Sequence, residues 1–299
     1  MRAEAPGKLV LSGAYSVFEG APALVGAVDR YVRADAEREC TFVTREVGEA
    51  VRRGVLVRPV WFDAAALREQ LPNGESRKLG LGSSAAILVA SMAAGAPERF
   101  ADAELAGLLF PEALAIHRAA QGGGSGIDVA ASCFGGVTVC RVVSTGLEVA
   151  PVTLPRVVFE AWACPDSVTT AAMLLRVRAF ATAEPPCYRR VIGAAKEAAE
   201  VAALASSANE FVAAMVAQRA ALAELGTRAG VAIMTPAVDA LHAMARLEGA
   251  VFYPSGAGGG DVALFLGHAA STIEFRSRAH ALGLFHLALR IGASGVRRS

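Results

Sequence analysis

The stretch Gly80-Leu81-Gly82-Ser83-Ser84-Ala85-Ala86 is one of four short glycine-rich or lysine-bearing stretches that, taken together, are the most informative feature of this chain. Two glycines let the backbone approach a ligand closely, and the residues after them begin a helical pattern. The first amides of a helix have no partner within the helix, and the helix dipole is positive at that end. A phosphate group is therefore expected to bind there. The predicted contacts are Gly80, Gly82, Ser83, Ser84 and Ala85.

Two other interpretations of this stretch are open. The first is an ordinary helix after a turn, with Ser84 as its cap. The second is the dinucleotide fingerprint Gly-x-Gly-x-x-Ala, with Glu98 or Asp102 at about the required 20-residue spacing. That fingerprint follows a buried strand, whereas residues 71–78 read Leu-Pro-Asn-Gly-Glu-Ser-Arg-Lys, which is typical of a surface loop. The fingerprint is therefore set aside.

Two further stretches, Ala5-Pro6-Gly7-Lys8 and Gly124-Ser125-Gly126-Ile127-Asp128, supply charged groups. A lysine ammonium suits transferring phosphates, and the chain has few lysines among its 29 Lys and Arg residues. The Asp128 carboxylate can accept a proton from an attacking hydroxyl, or orient it. The ordinary alternatives are a solvated lysine at a strand start and an aspartate that caps a helix. Together with a phosphate cradle, these groups are what phosphoryl transfer needs.

A fourth stretch, Pro254-Ser255-Gly256-Ala257-Gly258-Gly259-Gly260-Asp261, is very rich in glycine. So many glycines are costly to order on folding, which favours a backbone that curls against a ligand. The alternative is a tight connection between strands, which seldom needs so many glycines. Asp261 is interpreted as a residue that fixes the loop and not as a metal ligand.

Composition excludes several classes of protein. A chain of 299 residues with 54% hydrophobic residues and a mean hydropathy of +0.42 can form one large domain or two ordinary ones. It has no apolar run of about 18 residues, so no membrane partner is expected. The net charge of +1 indicates no nucleic-acid partner. Five cysteines without a CxxC pair, and no apolar core in the opening residues, predict a cytoplasmic protein.

The periodicity of the chain predicts mixed helices and strands. Predicted strands cover residues 8–12, 25–34, 41–45, 55–62, 136–143, 156–163, 251–253 and 261–266. Predicted helices cover residues 84–94, 102–120, 129–134 and 271–281, and an Ala-rich helical region covers 191–228. Residues 71–78 and 181–186 are predicted loops. A domain boundary is expected near residues 151–155, which gives domains 1–153 and 154–299.

The four stretches together resemble the galactokinase, homoserine kinase, mevalonate kinase and phosphomevalonate kinase (GHMP) superfamily. Its three usual motifs match Pro6-Gly7-Lys8 with Gly13-Ala14-Tyr15-Ser16-Val17, then residues 80–86, then residues 255–261. The resemblance implies an α+β fold with the site between two domains. Residues 1–153 would form a domain like ribosomal protein S5 domain 2, and residues 154–299 a ferredoxin-like domain.

The resemblance also implies roles for individual residues. Lys8 and Asp128 would be the catalytic pair, and Ser84 would bind Mg²⁺ on the ATP held by the 80–85 loop. The small-molecule substrate would be bound by Tyr15, Ser16, Ser125, Gly126, Ser255, Gly256, Ala257 and Gly258. The cofactors would be ATP and Mg²⁺, and the protein a monomer or a homodimer.

Within the superfamily, Ala120-Gln121-Gly122 and Gly124-Ser125-Gly126-Ile127-Asp128-Val129-Ala130-Ala131-Ser132 are similar to the phosphomevalonate kinase forms AQG and GSGFDVAAA. His117 stands near the position of a Mg-binding glutamate in mevalonate kinases. The expected reaction is ATP-dependent phosphorylation of (R)-5-phosphomevalonate to 5-diphosphomevalonate. A mevalonate kinase is the alternative, since Asp166 would repel an anionic substrate. A non-catalytic ligand sensor on the same fold is a second alternative, disfavoured by intact Lys8 and Asp128.

Overall fold

A computed structural model of the chain describes residues 1–70, 76–96, 102–165 and 170–298. Predictions for residues 71–75, Glu98 and Asp166 therefore lie outside the described part. Its strands are β1 (Arg2–Ser12), β2 (Ala23–Asp35), β3 (Trp61–Asp63), β4 (Arg68–Gln70), β5 (Ser76–Lys78), β6 (Val137–Val143), β7 (Gly146–Pro151), β8 (Val158–Ala163), β9 (Val251–Pro254), β10 (Val262–Gly267), β11 (Phe285–Leu287) and β12 (Arg297–Arg298). Its α-helices are α1 (Arg45–Arg52), α2 (Ser83–Gly95), α3 (Asp102–Gln121), α4 (Ile127–Phe134), α5 (Thr170–Ala183), α6 (Pro185–Leu204), α7 (Ala208–Ala229), α8 (Pro236–Leu247) and α9 (Ile273–Ala281).

A six-stranded antiparallel sheet organises the first part of the chain. Its order is β12-β1-β2-β6-β7, and β3 pairs with the far part of β2. Helix α2 packs on β1 and β2, and α3 and α4 pack beside it. All residues from 85 to 94 of α2 are buried, because this helix is apolar all round and is covered on every side. The N-terminal end of α2 is thereby fixed at the edge of the core.

A second, four-stranded antiparallel sheet has the order β11-β8-β10-β9. Its β10 strand is buried throughout, because the sheet is covered on both faces. Ala263 and Phe265 pack with helices α8 and α9, and Val262, Leu264 and Leu266 pack in the main hydrophobic core. Phe275 of α9 lies edge-on to Trp162, Phe252 and Phe265, with ring centroids 5.8, 5.4 and 5.0 Å apart. Such edge-to-face pairs add to the burial of the rings.

Contacts between β1 and the segments around β9 join the two sheets. The Tyr253 hydroxyl donates a hydrogen bond to the Leu11 carbonyl oxygen at 2.9 Å, and both partners are buried. The side chain of Gln218 on α7 accepts from the Gly13 N–H at 3.1 Å. Near the C-terminus, β12 returns to pair with β1, although residues 154–299 were assigned to a second domain. The boundary after residue 153 stays a prediction.

The predicted α+β class is confirmed, but several local predictions are wrong. Residues 55–60 of the predicted 55–62 strand are not in a strand, because the N–H groups of Val55 and Leu56 bond back to the Ala50 carbonyl oxygen at the end of α1. Residues 76–78 of the predicted 71–78 loop form β5, because they pair with β4. Residues 41–45 do not form a strand, because the Thr44 hydroxyl accepts the Val47 N–H at 3.3 Å and caps α1. Residues 181–186 are not a loop, because α5 ends at Ala183 and α6 begins at Pro185. Proline is well suited to a first helical position, where its missing N–H has no partner to lose. No helix in the described residues is both long and apolar enough to span a bilayer.

Candidate active site

The N-terminal end of α2 lies against the Gly7-Lys8 part of β1. The Lys8 N–H donates to the Leu81 carbonyl oxygen at 2.9 Å, which fastens the glycine loop to the strand. Helix α2 begins at Ser83 after Gly82, and no side chain caps it, so the alternative interpretation in which Ser84 caps the helix is wrong. The first bond into the helix runs from the Ala86 N–H to the Gly82 carbonyl oxygen at 3.2 Å. The amides of residues 83–85 precede that bond and are available to an anion.

Gly82 is the point at which the two predicted charged residues meet. Its φ is +75°, and a Cβ added there would lie 2.9 Å from Lys8 Cγ and 3.6 Å from Asp128 Cβ. Any larger residue at this position would therefore push against Lys8 and adopt an unfavourable backbone conformation. The structure thus brings residues 8, 82 and 128 together at one end of α2.

The Lys8 ammonium lies between the glycine loop and two carboxylates. Its Nζ donates to the Gly80 carbonyl oxygen at 3.1 Å. Burial lowers the pKa of Lys8 below its ordinary value, and the charges of Asp128 and Asp261 partly oppose that shift. Desolvation of an ammonium outweighs its attraction to nearby acids here, which leaves a cation that gains strongly from a further anion.

Asp261 belongs to this cluster, although the sequence analysis gave it only the role of fixing its loop. A Cβ added at Gly80, whose φ is +68°, would lie 2.7 Å from Asp261 Cβ and 2.9 Å from its Oδ2. The glycine loop before α2 is therefore in van der Waals contact with the start of β10. The available signal was the position of Asp261 directly after a glycine run, where a side chain can approach another backbone.

His117 of α3 is a second residue of the site whose contacts the sequence did not reveal. Its Nε2 lies 3.3 Å from Ser84 Oγ and 3.4 Å from Asp128 Oδ2. The side chain is buried, with 6% of the residue exposed. His117 had been noted only because it stands near a metal-binding position in related kinases. Its contact with both Ser84 and Asp128 depends on how α2, α3 and α4 pack.

Asp128 is the second residue of α4 and not its cap. Gly126 occupies the cap position with φ +83°, which turns the chain sharply into the helix. The Asp128 Oδ1 is 3.0 Å from the Val129 N–H, and its Oδ2 faces His117. The carboxylate is partly exposed, since 21% of its side chain remains accessible. It can therefore meet a substrate at the same end of α2 as Lys8.

The glycine-rich loop after β9 is held by Tyr15. The Tyr15 hydroxyl donates to the Ala257 carbonyl oxygen at 2.6 Å, and Tyr15 has φ +62°, unlike any other non-glycine residue that the structure describes. Gly256 has φ +99°, and a Cβ at Gly258 would lie 2.3 Å from the Ile233 carbonyl oxygen. The backbone of the loop thus passes too close to Ile233 for a side chain at Gly258, whereas at Gly256 the positive φ is what favours glycine.

The other residues predicted to bind substrate have structural partners in this conformation. The Ser255 hydroxyl bonds both backbone groups of Val10, and the buried Ser16 hydroxyl donates to the Gly13 carbonyl oxygen at 3.4 Å. Arg118 donates to the carbonyl oxygens of Gly124 and Ser125 at 3.2 and 2.9 Å, which holds the turn into α4. A Cβ at Gly126 would lie 2.1 Å from Leu114 Cδ1, so that turn packs tightly on α3.

Comparison with known proteins adds a family to this geometry. Residues 47–136 match the family model described as "GHMP kinases N terminal domain". This part of the chain is similar to the N-terminal domain of the GHMP kinases. The matched range contains the glycine loop, α2, α3 and Asp128, so most of the cluster described above lies within it.

A mevalonate kinase of Archaeoglobus fulgidus is 32% identical to the chain over 150 residues. The match covers 46% of this chain and 51% of the relative, so it spans about half the length of that protein. The similarity in fold to solved structures covers more of the chain than this sequence match does. The Lin0012 protein of Listeria innocua has a TM-score of 0.79 at 23% identity, covering 100% of this chain and 99% of the other. A Streptococcus pneumoniae phosphomevalonate kinase in complex with phosphomevalonate and AMPPNP has a TM-score of 0.77 at 19% identity, covering 97% and 99%.

Proposed function

We propose that this protein is an ATP-dependent kinase of a small molecule. The observation that carries the proposal is that Lys8, Gly82 and Asp128 lie together at the N-terminal end of α2. A Cβ added at Gly82 would lie 2.9 Å from Lys8 Cγ and 3.6 Å from Asp128 Cβ. An ammonium, a carboxylate and a row of helix amides at one point can orient two reactants and stabilise charge on a transferred phosphoryl group. Few other reactions need all three groups together.

The nucleotide is proposed to place its phosphates on the loop formed by Gly80, Gly82, Ser83, Ser84 and Ala85. Helix amides and the helix dipole favour an anion at this end of α2. The positive φ values of Gly80 and Gly82 let the backbone turn inward without a Cβ in the way. The N-terminal family domain and the AMPPNP in the S. pneumoniae phosphomevalonate kinase support ATP as the donor.

Mg²⁺ fits the chemistry of this loop. In the part of the chain that the structure describes, no three or more His, Cys, Asp or Glu side chains lie together so that they could hold a metal ion by themselves. Mg²⁺ needs no such cage, because it is usually bound by phosphates, waters and one or two protein oxygens. The partly exposed Ser84 hydroxyl and Asp128 carboxylate, both within reach of His117 Nε2, are the oxygens that would hold it. When bound, the ion would neutralise part of the charge on the phosphates.

Lys8 and Asp128 are proposed to act on the transferred group and on the acceptor. The Lys8 ammonium, poorly solvated between the Gly80 carbonyl and two acids, would attract the oxygens of the moving phosphoryl group. Asp128 would orient the attacking oxygen and accept its proton where there is one to lose. Asp261 would hold Lys8 and the glycine loop in register.

The acceptor is proposed to be (R)-5-phosphomevalonate, with 5-diphosphomevalonate as the product. Residues 120–132 resemble those of phosphomevalonate kinases, and the phosphomevalonate kinase of S. pneumoniae shares the fold over almost the full chain. Mevalonate itself is the second candidate, because the A. fulgidus relative that matches half of its length is a mevalonate kinase. Both candidates use the same Lys8, Asp128 and nucleotide loop.

Turnover measured side by side with four acceptors tests the proposal. Purified protein, ATP and Mg²⁺ are incubated with phosphomevalonate, mevalonate, homoserine or galactose, and ADP release is followed. We expect the highest kcat/KM with phosphomevalonate. Turnover of mevalonate alone would make the protein a mevalonate kinase. Binding of an acceptor without ADP release in any reaction would favour a non-catalytic sensor and overturn the proposal.

A further inference from the structure

The side chain of His117 lies where three helices of the site meet. It projects from α3, and its Nε2 lies close to Ser84 Oγ on α2 and to Asp128 Oδ2 on α4, at 3.3 and 3.4 Å. With 6% of the residue exposed, the ring has little contact with solvent. One nitrogen atom of a buried ring therefore contacts both the oxygen proposed to meet the metal and the carboxylate proposed to meet the acceptor.

The surroundings of the ring define which nitrogen carries the proton. An ionised carboxylate only accepts hydrogen bonds, so Nε2 is stabilised beside Asp128 when it bears a hydrogen. The other nitrogen, Nδ1, is buried and has no hydrogen-bond partner in the described structure. A buried N–H without a partner is rarer and costlier than a buried acceptor without one. Between the two neutral tautomers, the arrangement thus favours the Nε2–H form, which leaves a lone pair and no N–H at the unpartnered Nδ1.

We propose that His117 is a positioning residue that shares its Nε2–H between Ser84 and Asp128 and so couples the nucleotide side of the site to the acceptor side. The proposal rests on the proposed kinase function for its consequences, but its geometry does not. Two acceptors at nearly equal and rather long distances are typical of one N–H shared between two oxygens. Sharing the donor fixes the rotamers of Ser84 and Asp128. It leaves Ser84 Oγ one lone pair and its hydroxyl hydrogen for other partners, while Asp128 Oδ1 also accepts the Val129 N–H.

A ring in this role acts through its neighbours and does not touch the reactants. Removing a group that orients metal-binding or reacting side chains typically lowers metal affinity or activity about 10- to 100-fold. A residue that only fills the core would change stability and leave metal-dependent binding alone. The two roles are therefore separated by measuring nucleotide affinity with and without Mg²⁺.

Two variants and one control make the test. His117→Leu removes both nitrogens and keeps an apolar side chain in the core, whereas His117→Gln keeps an N–H donor on a side chain that can reach the same two oxygens. His268→Gln, at an exposed histidine after β10, is the matched control for the substitution itself. Thermal unfolding of each variant first establishes that it is folded.

The first readout is the tautomer of His117 in the wild-type protein, from side-chain ¹⁵N–¹H NMR with the signal assigned by its loss in His117→Gln. We expect the Nε2–H form, and we expect its shift to move in Ser84→Ala and in Asp128→Asn. An Nδ1–H form, or a chemical shift that is unchanged in both variants, would contradict the shared hydrogen bond. This readout needs no turnover, so it decides the geometry even if no acceptor is phosphorylated and the proposed function fails.

The second readout is the affinity for ADP, measured by calorimetry with and without Mg²⁺, together with kcat and KM for the preferred acceptor. For His117→Leu we expect a loss of about 10- to 100-fold in ADP affinity with Mg²⁺ and in kcat, and about no change in ADP affinity without the ion. His117→Gln should regain most of the loss. Unchanged Mg²⁺-dependent affinity and kcat in a folded His117→Leu protein would overturn the positioning role.

Discussion

The Ser255 hydroxyl is hydrogen-bonded to both backbone groups of Val10: it accepts the Val10 N–H at 2.9 Å and donates to the Val10 carbonyl oxygen at 3.1 Å. Ser255 begins the glycine-rich loop after β9, and Val10 lies in β1, just before an irregularity in the pairing of β1 with β2. Val10 stays in register with Val25 of β2, and β12 pairs with β1 only at Ala3 and Glu4. The backbone groups of Val10 are therefore satisfied by the Ser255 side chain and not by a further strand. Ser255 therefore joins the two sheets beside the proposed site.

Replacing Ser255 by alanine should destabilise the fold. The buried N–H of Val10 would lose its partner, which costs about 1–3 kcal/mol in free energy of unfolding. Urea unfolding of Ser255→Ala and of the wild type measures the difference. Ser277→Ala is the control, because it is the same substitution at a serine that is exposed on α9. A stability loss in Ser255→Ala no greater than in the control would show that water satisfies Val10 instead.

Replacing Gly82 by alanine should abolish activity and lower stability. The φ of +75° costs a non-glycine residue about 1–2 kcal/mol, and the new Cβ would lie 2.9 Å from Lys8 Cγ. Gly230→Ala is the matched control, because Gly230 has φ +63° and its Cβ would meet nothing within 4 Å. Kinase turnover and urea unfolding are measured for both variants. We expect similar backbone strain in the two proteins but loss of turnover only in Gly82→Ala; retained turnover there would contradict the contact with Lys8.

The glycine loop shows what the sequence could and could not predict. Loop residues 80–82, a glycine before Asp128 and a lysine after Pro6-Gly7 each carry a local chemical requirement, so their convergence could be inferred from composition and order. The contacts of Asp261 with Gly80 and of His117 with Ser84 could not, because they depend on how separate helices and strands pack. Neither residue differs locally from an ordinary acid or histidine.

Two of the errors in secondary structure have a local cause. A strand was predicted at residues 41–45 from β-branched and aromatic residues, yet a single hydrogen bond from Val47 to Thr44 starts a helix there. A loop was predicted at residues 181–186 from two prolines, although proline is well tolerated in the first turn of a helix. In both places, one capping or positional preference outweighed the average propensity of the segment.

The variants Tyr15→Phe and Tyr253→Phe distinguish a role of the glycine-rich loop in acceptor binding from a general effect on stability. The Tyr15 hydroxyl donates to the Ala257 carbonyl oxygen in the glycine-rich loop, and the Tyr253 hydroxyl donates to the Leu11 carbonyl oxygen in β1. Each Tyr→Phe change removes one hydrogen bond and should cost about 0.5–1.5 kcal/mol in free energy of unfolding. We expect Tyr15→Phe alone to raise the KM for the acceptor, because Tyr15 holds the loop proposed to bind the acceptor, whereas Tyr253 joins β9 to β1. Equal KM values for the two variants would contradict a role of the loop in acceptor binding.

The lowered pKa of Lys8 predicts a pH dependence of stability. At low pH both folded and unfolded states hold the proton, so the penalty for burying the ammonium is fully present. Between the folded pKa and the unfolded value of about 10.4, only the unfolded state keeps the proton, so the free energy of unfolding rises with pH. The difference in that free energy between wild type and Lys8→Met should therefore increase on the alkaline side.

Urea unfolding of both proteins at neutral pH and at about pH 10 measures that difference. Groups that titrate in the same way in both proteins contribute equally to the two free energies of unfolding and do not affect the difference. Lys78→Met, at an exposed lysine of β5, is the matched control and should show no comparable increase. A difference that is flat or falls with pH for Lys8→Met would mean that attraction to Asp128 and Asp261 outweighs the burial of the ammonium.

Replacing Asp128 by asparagine tests the nature of the acceptor. A phosphate has a second pKa of about 6 and is largely ionised at neutral pH, so it needs little help in losing a proton. An alcohol holds its proton, and loss of a general base then costs about 10²–10⁴ in rate. With phosphomevalonate as the acceptor, we expect Asp128→Asn to lower kcat by less than about 100-fold.

Asp63→Asn is the control, because the Asp63 carboxylate accepts the Ala65 N–H at an exposed turn. A loss near the upper end of that range with the phosphate acceptor would mean that Asp128 contributes mainly by holding Lys8 and the metal-binding oxygens, not by taking a proton.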